Sequence, residues 1–286
     1  MRDLRPQLEG RTVRDAHVAE PGVLRYPDAD SFRRRIVGRR LEKVGRHGKF
    51  MLVELDGPGE RAPGAEPEFL VIHLGMTGRL GLAEPEAELP PHTHLRLPLS
   101  SGAELRMTDY RRFGRVLLGS AAELARSRAM PSLGPEPATD SEPNPESWTG
   151  LGDTLTLRSF GAILGRSRRP VKALLLDQGM VAGLGNIYCD EACFRAGIRP
   201  MAAANSLSAA RRRRLFRGIA EALGSAVNLR GSSIDDYRDG FGEKGQNQHQ
   251  LLVYGRAGLP CVRCGRALRK TVVAGRTTVY CSSCQR

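Results

Sequence analysis

The 286-residue sequence predicts a multidomain α+β protein, and three observations support this prediction. Residues 69–118 contain short apolar runs separated by Gly, Ser and Pro, which is the spacing of a β-sandwich or barrel. From Pro170 to about residue 231 the apolar residues recur at helical spacing. The last 36 residues or so alternate like short strands around four cysteines. A chain of this length can bury such cores without disulfide staples.

The first part of the chain predicts a β domain followed by a linker. Residues 28–39 predict a short helix with an Asp or Ser cap, and residues 47–54 predict a strand ahead of the run at 69–118. Between 121 and 150, five prolines stand among acidic residues without periodicity, as is typical of a linker. We therefore expect a β domain over residues 1–120 and a linker over residues 121–150.

The second part predicts helices and then a small cysteine-bearing domain. Pro170 suits the first position of one helix, which Gly179 closes. A second helix runs from about Ser208 until Gly231. Residues 232–250 are polar and predict a loop. We expect a helical domain over residues 151–250 and a separate domain over residues 251–286.

The composition excludes several classes of protein. With 26% charged and 40% hydrophobic residues the chain is globular rather than disordered. No apolar run approaches the roughly 18 residues of a membrane span, and the opening MRDLRPQLEG lacks the apolar core of a signal peptide. Six cysteines are too few for a secreted disulfide scaffold. We expect a soluble cytoplasmic protein without a membrane partner.

The net charge of +13 lies entirely in the second part of the chain. Residues 1–150 carry 22 basic and 22 acidic side chains, whereas residues 151–286 carry 22 basic and only 9 acidic ones. This asymmetry favours a polyanionic partner, of which nucleic acid is the commonest. The alternatives are a ribosome-associated protein or an arginine-rich composition that reflects a GC-rich genome.

Four cysteines near the C-terminus have the spacing of a metal site. They follow the pattern Cys261-x2-Cys264-x16-Cys281-x2-Cys284. Each pair can present two thiolates to one ion, and the spacer lets a hairpin bring the pairs together. Four sulfurs leave no open position, so we predict one structural Zn²⁺; two disulfides or free thiols are the alternative. Basic residues within the ribbon can lie on phosphates: Arg263, Arg266, Arg269, Lys270 and Arg276.

A glycine-rich turn forms a second motif, Gly183-Leu-Gly-Asn-Ile-Tyr188, between two predicted helical stretches. Such a turn lets backbone N–H groups approach a phosphate, and Asn186 adds a side-chain donor. The alternative is an ordinary tight turn. Cys189 and Cys193, four apart on the following helix, are interpreted as small packed residues. Arg211 to Arg214 predict a solvated helix face, because four consecutive residues point all round a helix.

Eight motifs in this order resemble the bacterial formamidopyrimidine-DNA glycosylase family, relatives of endonuclease VIII, over almost the whole chain. The resemblance implies an N-terminal β-sandwich, a helix–two-turns–helix module and a C-terminal zinc-finger β-hairpin. It also implies a monomer that excises oxidised purines from double-stranded DNA and cleaves the strand at the abasic site. The motifs are HGKF (47–50), IHLGMTG (72–78), PHTH (91–94), TDYRRFG (108–114), LGPEP (133–137), VAGLGNIYCDEACFRAGI (181–198), VYGR (253–256) and the four-cysteine ribbon.

The resemblance also assigns roles to individual residues. Lys49 matches a lysine that assists base loss and β-elimination, and Arg276 matches a phosphate contact implicated in δ-elimination. Met76, Arg111 and Phe113 match the three residues that fill the gap left by an everted nucleotide. Read alone, Lys49 would be a solvated strand residue, and Met76 and Phe113 would be core residues. The other DNA-contacting positions are His73, His92, Arg168, Lys172 and Asn186, with Arg166 in the same basic stretch as Arg168.

The sequence departs from the family at its start. The family begins Met-Pro-Glu-Leu-Pro-Glu, and the exposed proline amine and the adjacent glutamate carry the covalent chemistry. This chain opens MRDLRPQLEGRTV, so about ten residues of that pattern are absent. Either the start codon is misassigned and an upstream start encodes the segment, or the protein binds lesions or abasic sites without glycosylase and lyase chemistry, or it uses another amine. A zinc-ribbon transcription factor is a third hypothesis. The loop at 232–250 resembles the base-covering loop of the purine-specific branch, which favours 8-oxoguanine and formamidopyrimidines as substrates.

Overall fold

The computed structural model describes residues 3–19, 21–57, 66–137, 153–234 and 242–286. They form two compact units, each described here by itself. The first comprises the described residues of 1–131 and 233–245, and the second those of 132–232 and 246–286. Parts of the predicted linker and of the predicted loop at 232–250 lie outside the described residues, and the predicted domain boundaries stay predictions.

The first unit is a β-sandwich. One sheet has five strands in the order β2-β9-β5-β4-β3, and the other has four in the order β1-β7-β8-β6. Apolar side chains from both sheets, such as Ile72 and Leu105, share one core. Within each sheet the neighbours are antiparallel except β2 and β9. The strands are β1 (His17–Val18), β2 (Leu24–Tyr26), β3 (Arg40–His47), β4 (Phe50–Asp56), β5 (Glu68–His73), β6 (Arg79–Ala83), β7 (Thr93–Pro98), β8 (Glu104–Thr108) and β9 (Arg115–Ser120).

Three short helices accompany the sandwich: α1 (Arg5–Leu8), α2 (Ala29–Ile36) and α3 (Ala121–Ser127). The predicted cap of α2 is confirmed, because the Asp28 carboxylate accepts a hydrogen bond from the Ser31 N–H at 2.9 Å. Helix α3 falls inside the predicted linker. Ser120 and Glu123 form a reciprocal capping box at its start, a signal that the prolines further along the chain obscured.

The strands predicted over residues 69–118 are confirmed, whereas the strand predicted over 47–54 is wrong at its start. Strand β3 ends at His47, and Gly48 and Lys49 form the turn into β4. Gly48 has φ +58°, a backbone conformation that glycine adopts without steric cost. The HGKF motif is therefore a hairpin turn, and it presents Lys49 at the tip rather than within a strand.

The second unit is helical. Its two long helices, α6 (Asn186–Ala196) and α7 (Ala209–Asn228), pack closely at Gly218, where a Cβ would lie only 2.9 Å from the Ala192 carbonyl oxygen. The predicted start of α7 at about Ser208 is confirmed, and the Ser208 side chain caps the helix by accepting from the Arg211 N–H. A short parallel pair, β10 (Glu136–Pro137) and β11 (Thr154–Leu155), precedes the helices. The helices are α4 (Leu157–Gly165), α5 (Val171–Leu176), α6 (Asn186–Ala196) and α7 (Ala209–Asn228).

A cysteine-bearing hairpin completes the second unit. Strands β12 (Arg269–Val273) and β13 (Arg276–Tyr280) are antiparallel, and Ala274 and Gly275 turn with φ of 50° and 70°. The hairpin shares a small core with Phe194 of α6. The predicted fold class is thus confirmed: β-sandwich, helical module and cysteine-bearing hairpin. Among the described helices, none is both long and apolar enough to cross a membrane.

Candidate nucleic-acid interface

Two loops of the sandwich present large apolar side chains to solvent. Met76 lies between β5 and β6 and is 64% exposed, and Phe113 lies between β8 and β9 and is 48% exposed. This exposure excludes the interpretation of either as a core residue. The Arg111 guanidinium lies over the Phe113 ring, 4.6 Å from its centroid. The three residues predicted to fill the gap of an everted nucleotide therefore lie on neighbouring loops.

A buried carboxylate that the sequence analysis did not single out begins the second of these loops and bonds to the first. Asp109 is only 1% exposed, and it accepts hydrogen bonds from the Thr77 hydroxyl, from the Arg111 N–H at 3.3 Å and from the Gly114 N–H at 2.6 Å. The TDYRRFG motif contained the available signal, because an aspartate at the entry to a turn commonly bonds backbone N–H groups ahead of it. Its bond to Thr77 had no sequence signal.

His73 ends β5 in a half-buried position beside Phe50, with ring centroids 4.6 Å apart. Burial, together with the positive charges of Arg115 and Lys49, lowers the pKa of His73 to about 4. Its Nδ1 accepts from the Gly75 N–H at 3.0 Å, so the proton of the neutral ring resides on Nε2. At neutral pH His73 is therefore an uncharged hydrogen-bond donor.

The remaining predicted residues of the sandwich side lie at exposed turns. Lys49 is exposed at the tip of the β3–β4 hairpin, and His92 is exposed with φ +62°. The His92 carbonyl accepts from the Asp109 N–H at 3.0 Å, which connects this turn to the buried aspartate. His94, not singled out from the sequence, is buried, and its Nε2 lies 2.7 Å from the Asp109 carbonyl oxygen.

In the second unit Asn186 is the first residue of α6, after a turn in which Gly183 has φ +92°. The first N–H groups of a helix have no partner within it and carry partial positive charge, which suits an anion. The Asn186 Oδ1 is buried and has no hydrogen-bond partner among the described residues. Gln178, which sequence reasoning missed, braces the turn: its Oε1 accepts from the Gly183 N–H, and its Nε2 donates to the Leu184 carbonyl.

The predicted direct DNA contact of Lys172 is wrong. Its side chain is fully buried, and Nζ lies 2.7 Å from Oδ1 of Asp190 while donating to the Thr277 carbonyl and the Thr278 hydroxyl. Burial raises the pKa of Asp190 to about 6, although the Lys172 ammonium opposes that rise. Arg166 and Arg168, from the same basic stretch, are exposed.

Arg276 is exposed at the start of β13, directly after the hairpin turn. The same strand is attached to α6, because the Asp190 Oδ2 accepts from the Val279 N–H at 3.0 Å. Asn186 and Asp190 lie one turn apart on α6. One helix therefore carries the Asn186 turn and anchors the strand that carries Arg276.

A second acidic residue of α6, also missed from the sequence, fixes the segment before the hairpin. Glu191 is buried, and its carboxylate accepts from three consecutive backbone N–H groups, those of Leu252, Val253 and Tyr254, at 2.9–3.0 Å. The adjacent carboxylates of Asp190 and Glu191 thus hold two different parts of the C-terminal region: Asp190 holds β13, and Glu191 holds the segment before the hairpin. The VYGR motif (253–256) indicated that this segment matters, but it gave no sign that Glu191 is its partner.

The prediction of a solvated face at Arg211 to Arg214 is confirmed for Arg213 and Arg214, which are exposed, whereas Arg211 and Arg212 are partly buried. Arg212 donates to the carbonyls of Leu207 and Gly161 at 2.8 and 3.0 Å, and Arg214 donates to the Ala196 carbonyl at 3.3 Å. Arg211 donates to the Arg286 carbonyl. These guanidiniums satisfy carbonyls at helix and chain ends, which helical periodicity alone does not reveal.

The four sulfurs of Cys261, Cys264, Cys281 and Cys284 all lie within 4.8 Å of one another. The Cys261–Cys284 and Cys264–Cys281 sulfur distances are 3.9 and 3.6 Å, far beyond the ~2.05 Å of a disulfide. Tetrahedral Zn²⁺ with bonds of ~2.3 Å places its sulfurs roughly 3.8 Å apart. Backbone N–H groups of Arg263 and Cys284 also point at ligand sulfurs, each at 3.4 Å. The cluster fits one structural Zn²⁺, as predicted.

An exposed apolar wedge beside a guanidinium, a glycine-rich helix N-terminus and a zinc hairpin bearing an exposed arginine define a multidomain zinc protein of the nucleic-acid-binding class. The chain belongs to the formamidopyrimidine-DNA glycosylase family. The family's N-terminal domain matches residues 1–116 and its H2TH domain matches residues 144–238. The zinc finger found in FPG and IleRS matches residues 258–286.

Named relatives and solved structures agree with this assignment. The formamidopyrimidine-DNA glycosylase of Desulforamulus reducens is 39% identical over 100% of this chain and 96% of its own, and that of Moorella thermoacetica is 42% identical over 94% and 90%. The MutM (Fpg) protein of Thermus thermophilus superposes with a TM-score of 0.81 at 39% identity, covering 99% of this chain and 95% of that one. Lactococcus lactis Fpg, in complex with DNA containing Fapy-dG, gives a TM-score of 0.82 at 30% identity, over 100% and 96%.

Proposed function

We propose that this chain is a base-excision-repair enzyme that removes oxidised purines, 8-oxoguanine and formamidopyrimidines, from double-stranded DNA and nicks the resulting abasic site by β,δ-elimination. One observation carries the proposal: Met76, Arg111 and Phe113 are exposed together on loops attached to one buried carboxylate. The family assignment and the Lactococcus lactis complexes with Fapy-dG and abasic-site DNA support it.

The exposed loops supply what base eversion needs. A base taken out of the duplex leaves an unstacked gap and an unpaired partner. Met76 and Phe113 offer apolar surface that replaces lost stacking, and the Arg111 guanidinium offers several donors in one plane to the orphaned base. The ring under Arg111 holds that guanidinium beside the wedge. Eversion and recognition of the partner base thus use neighbouring side chains.

Other residues suit the phosphates and the developing charge. We infer that Asn186 and the α6 N-terminus bind one phosphate, and that the exposed Arg276 binds another. The neutral His73 donates from Nε2, while Arg166, Arg168 and His92 add exposed donors. Lys49, at its hairpin tip, places an ammonium where negative charge develops as the base leaves. Lys172 acts within the core instead of at the DNA surface.

The covalent step needs an amine that attacks the sugar C1′ and a carboxylic acid that exchanges protons beside it. The family resemblance assigns these roles to a proline after the initiator methionine and to the adjacent glutamate. A protein that binds lesions or abasic sites without excision is the second candidate function.

The proposal extends to oligomeric state, location and the loop over the lesion. We infer that the enzyme acts as a monomer in the cytoplasm. We also infer that the loop at 232–250 covers the everted purine, although part of it lies outside the described residues. The zinc-ribbon transcription factor is disfavoured by the family assignment, because residues 1–116 match a glycosylase domain.

The deciding experiment compares two polypeptides on duplex DNA with 8-oxoguanine opposite cytosine. One contains these 286 residues, and the other carries a family-type Met-Pro-Glu segment ahead of them. Incised product and borohydride-trapped complex are measured, since only a Schiff base gives a covalent adduct. Excision and trapping by the extended polypeptide support the enzyme. Tight binding by both polypeptides with excision by neither supports the binding protein.

A further inference from the structure

The two loops of the candidate wedge are separate connections between the two sheets of the sandwich. Residues 74–78 connect β5 to β6, and residues 109–114 connect β8 to β9. Met76 and Phe113, their large apolar side chains, are largely exposed, so core packing does not fix these loops at their tips. Something else must hold the two loops together if they act on DNA at a constant spacing.

The Asp109 carboxylate supplies that connection. Its Oδ1 accepts from the Thr77 hydroxyl of the first loop and from the Arg111 N–H of the second, and its Oδ2 accepts from the Gly114 N–H. Three converging donors suit a carboxylate, which only accepts. Because the group is buried, each bond is strengthened by the low dielectric and its loss leaves an unsatisfied polar atom.

The backbone of Asp109 is fixed as well. Its N–H donates to the His92 carbonyl at 3.0 Å, and its own carbonyl oxygen lies 2.7 Å from Nε2 of the buried His94. Both partners belong to the turn and strand around β7. The Asp109 backbone is therefore fixed to the sheet that contains β7. The loops that bond to its carboxylate are held in position relative to that sheet.

One glycine, Gly75, lets the loops come this close, and a second, Gly114, leaves room for the Asp109 carboxylate. A Cβ at Gly75 would lie 2.7 Å from the Phe113 carbonyl carbon, a separation that real Cβ contacts do not show. A Cβ at Gly114 would clash with the Met107 Cε and would lie 3.1 Å from the Asp109 Oδ2. The first loop thus touches the backbone of the second directly, next to the shared carboxylate.

We propose that Asp109, through Thr77, is a positioning residue that joins loops 74–78 and 109–114 into one rigid unit, so that Met76, Phe113 and Arg111 enter duplex DNA together. The use of this unit on DNA rests on the function proposed above. The coupling makes recognition of the orphaned base by Arg111 depend on a hydroxyl in the other loop.

The first test uses hydrogen exchange of the free, full-length protein. Thr77→Val removes the hydroxyl at nearly constant volume, and Thr77→Ser keeps it as the matched control. We expect Thr77→Val to speed exchange in residues 109–114 as well as in 74–78, and Thr77→Ser to speed neither. Exchange that rises only in 74–78, or that does not rise, overturns the coupling. Asp109→Asn, which loses one acceptor oxygen, is the second variant and should give the same pattern.

The second test measures affinity for duplexes with a tetrahydrofuran abasic analogue placed opposite cytosine or opposite a second abasic analogue. We expect Thr77→Val to weaken binding about fivefold to tenfold when cytosine is present, the size of one buried hydrogen bond. The weakening should be much smaller when no orphaned base exists. An equal loss on both duplexes points to general destabilisation and overturns the role in recognition. If the wild type binds neither duplex better than intact DNA, the proposed function fails, while the exchange result still decides the coupling.

Discussion

The Lys172 ammonium and the Asp190 carboxylate lie 2.7 Å apart, both withdrawn from solvent, in the second unit. The pair connects three elements, because Lys172 lies on α5, Asp190 lies on α6, and both bond to β13. That strand carries Arg276. The sequence predicted that Lys172 contacts DNA. In the structure Lys172 and Asp190 instead fix the hairpin that carries Arg276, another predicted phosphate contact.

Removing one partner of this pair should be far more harmful than removing both charges. Lys172→Met leaves an unpaired buried carboxylate and Asp190→Asn leaves an unpaired buried ammonium, so each should cost about 3–5 kcal/mol of unfolding free energy. The double variant Lys172→Met/Asp190→Asn should cost clearly less than the sum. Urea unfolding followed by circular dichroism measures all four proteins. Costs that simply add would show that the two charges do not depend on each other.

The difference between the zinc site and Lys172 shows what the sequence could predict. The zinc ligands form two pairs, and the cysteines of each pair are separated by two residues. This local spacing is enough to assign the four cysteines from the sequence, and the structure brings their sulfurs together. The burial of Lys172 depends on Asp190, which is 18 positions away, and on β13, about a hundred positions away. No local pattern encodes that packing.

The same distinction applies to the sandwich loops. Periodicity predicted the strands over 69–118, but it would have placed Met76 and Phe113 in a core; only the resemblance to a family assigned them to DNA. Asp109 was missed because its bond to Thr77 joins residues 32 positions apart. The helix α3 was missed for a different reason. The capping box at Ser120 is a local signal, but the prolines further along the chain predicted a linker over the same residues.

Loss of zinc should unfold the hairpin locally and thereby abolish tight DNA binding. The hairpin core is small and includes two of the ligands, Cys261 and Cys281, so it cannot persist without the ion. We expect Cys281→Ser to lower the zinc content and to weaken binding to abasic-site duplex by at least about tenfold. Cys193→Ala, a buried cysteine outside the cluster, is the matched control and should retain one zinc per chain. Full affinity after complete zinc removal, verified by metal analysis, would show that the ribbon is dispensable.

The stability of the protein should fall between pH 6.5 and pH 4 in part through His73. Its folded-state pKa of about 4 lies below the ordinary histidine value of 6.5, so the unfolded chain takes up the proton first as the pH drops. Above pH 6.5 the ring is neutral in both states and this contribution is constant. We expect the stability advantage of the wild type over His73→Gln to shrink from pH 7.5 to pH 4.5 in urea unfolding. An advantage that grows on acidification would contradict the assigned pKa, which NMR titration of the ring can measure directly.

Arg276 and Arg269 provide a matched test of which end of the zinc hairpin meets DNA. Both side chains are exposed, Arg276 next to the hairpin turn and Arg269 at the far end, opposite Tyr280. A residue that neutralises one phosphate contributes about 0.9 to the slope of log K against log salt on duplex DNA. We therefore expect Arg276→Ala to weaken binding to lesion-containing duplex and to reduce the slope by about one, because one counterion fewer is released. Arg269→Ala should leave the slope unchanged, although it removes the same formal charge.

Fluorescence anisotropy across a salt series gives both the affinity and the slope. Equal changes in the two variants would mean that net charge, rather than the position of one arginine, governs binding. The size of the wild-type slope then reports how much of the +13 of residues 151–286 faces the DNA.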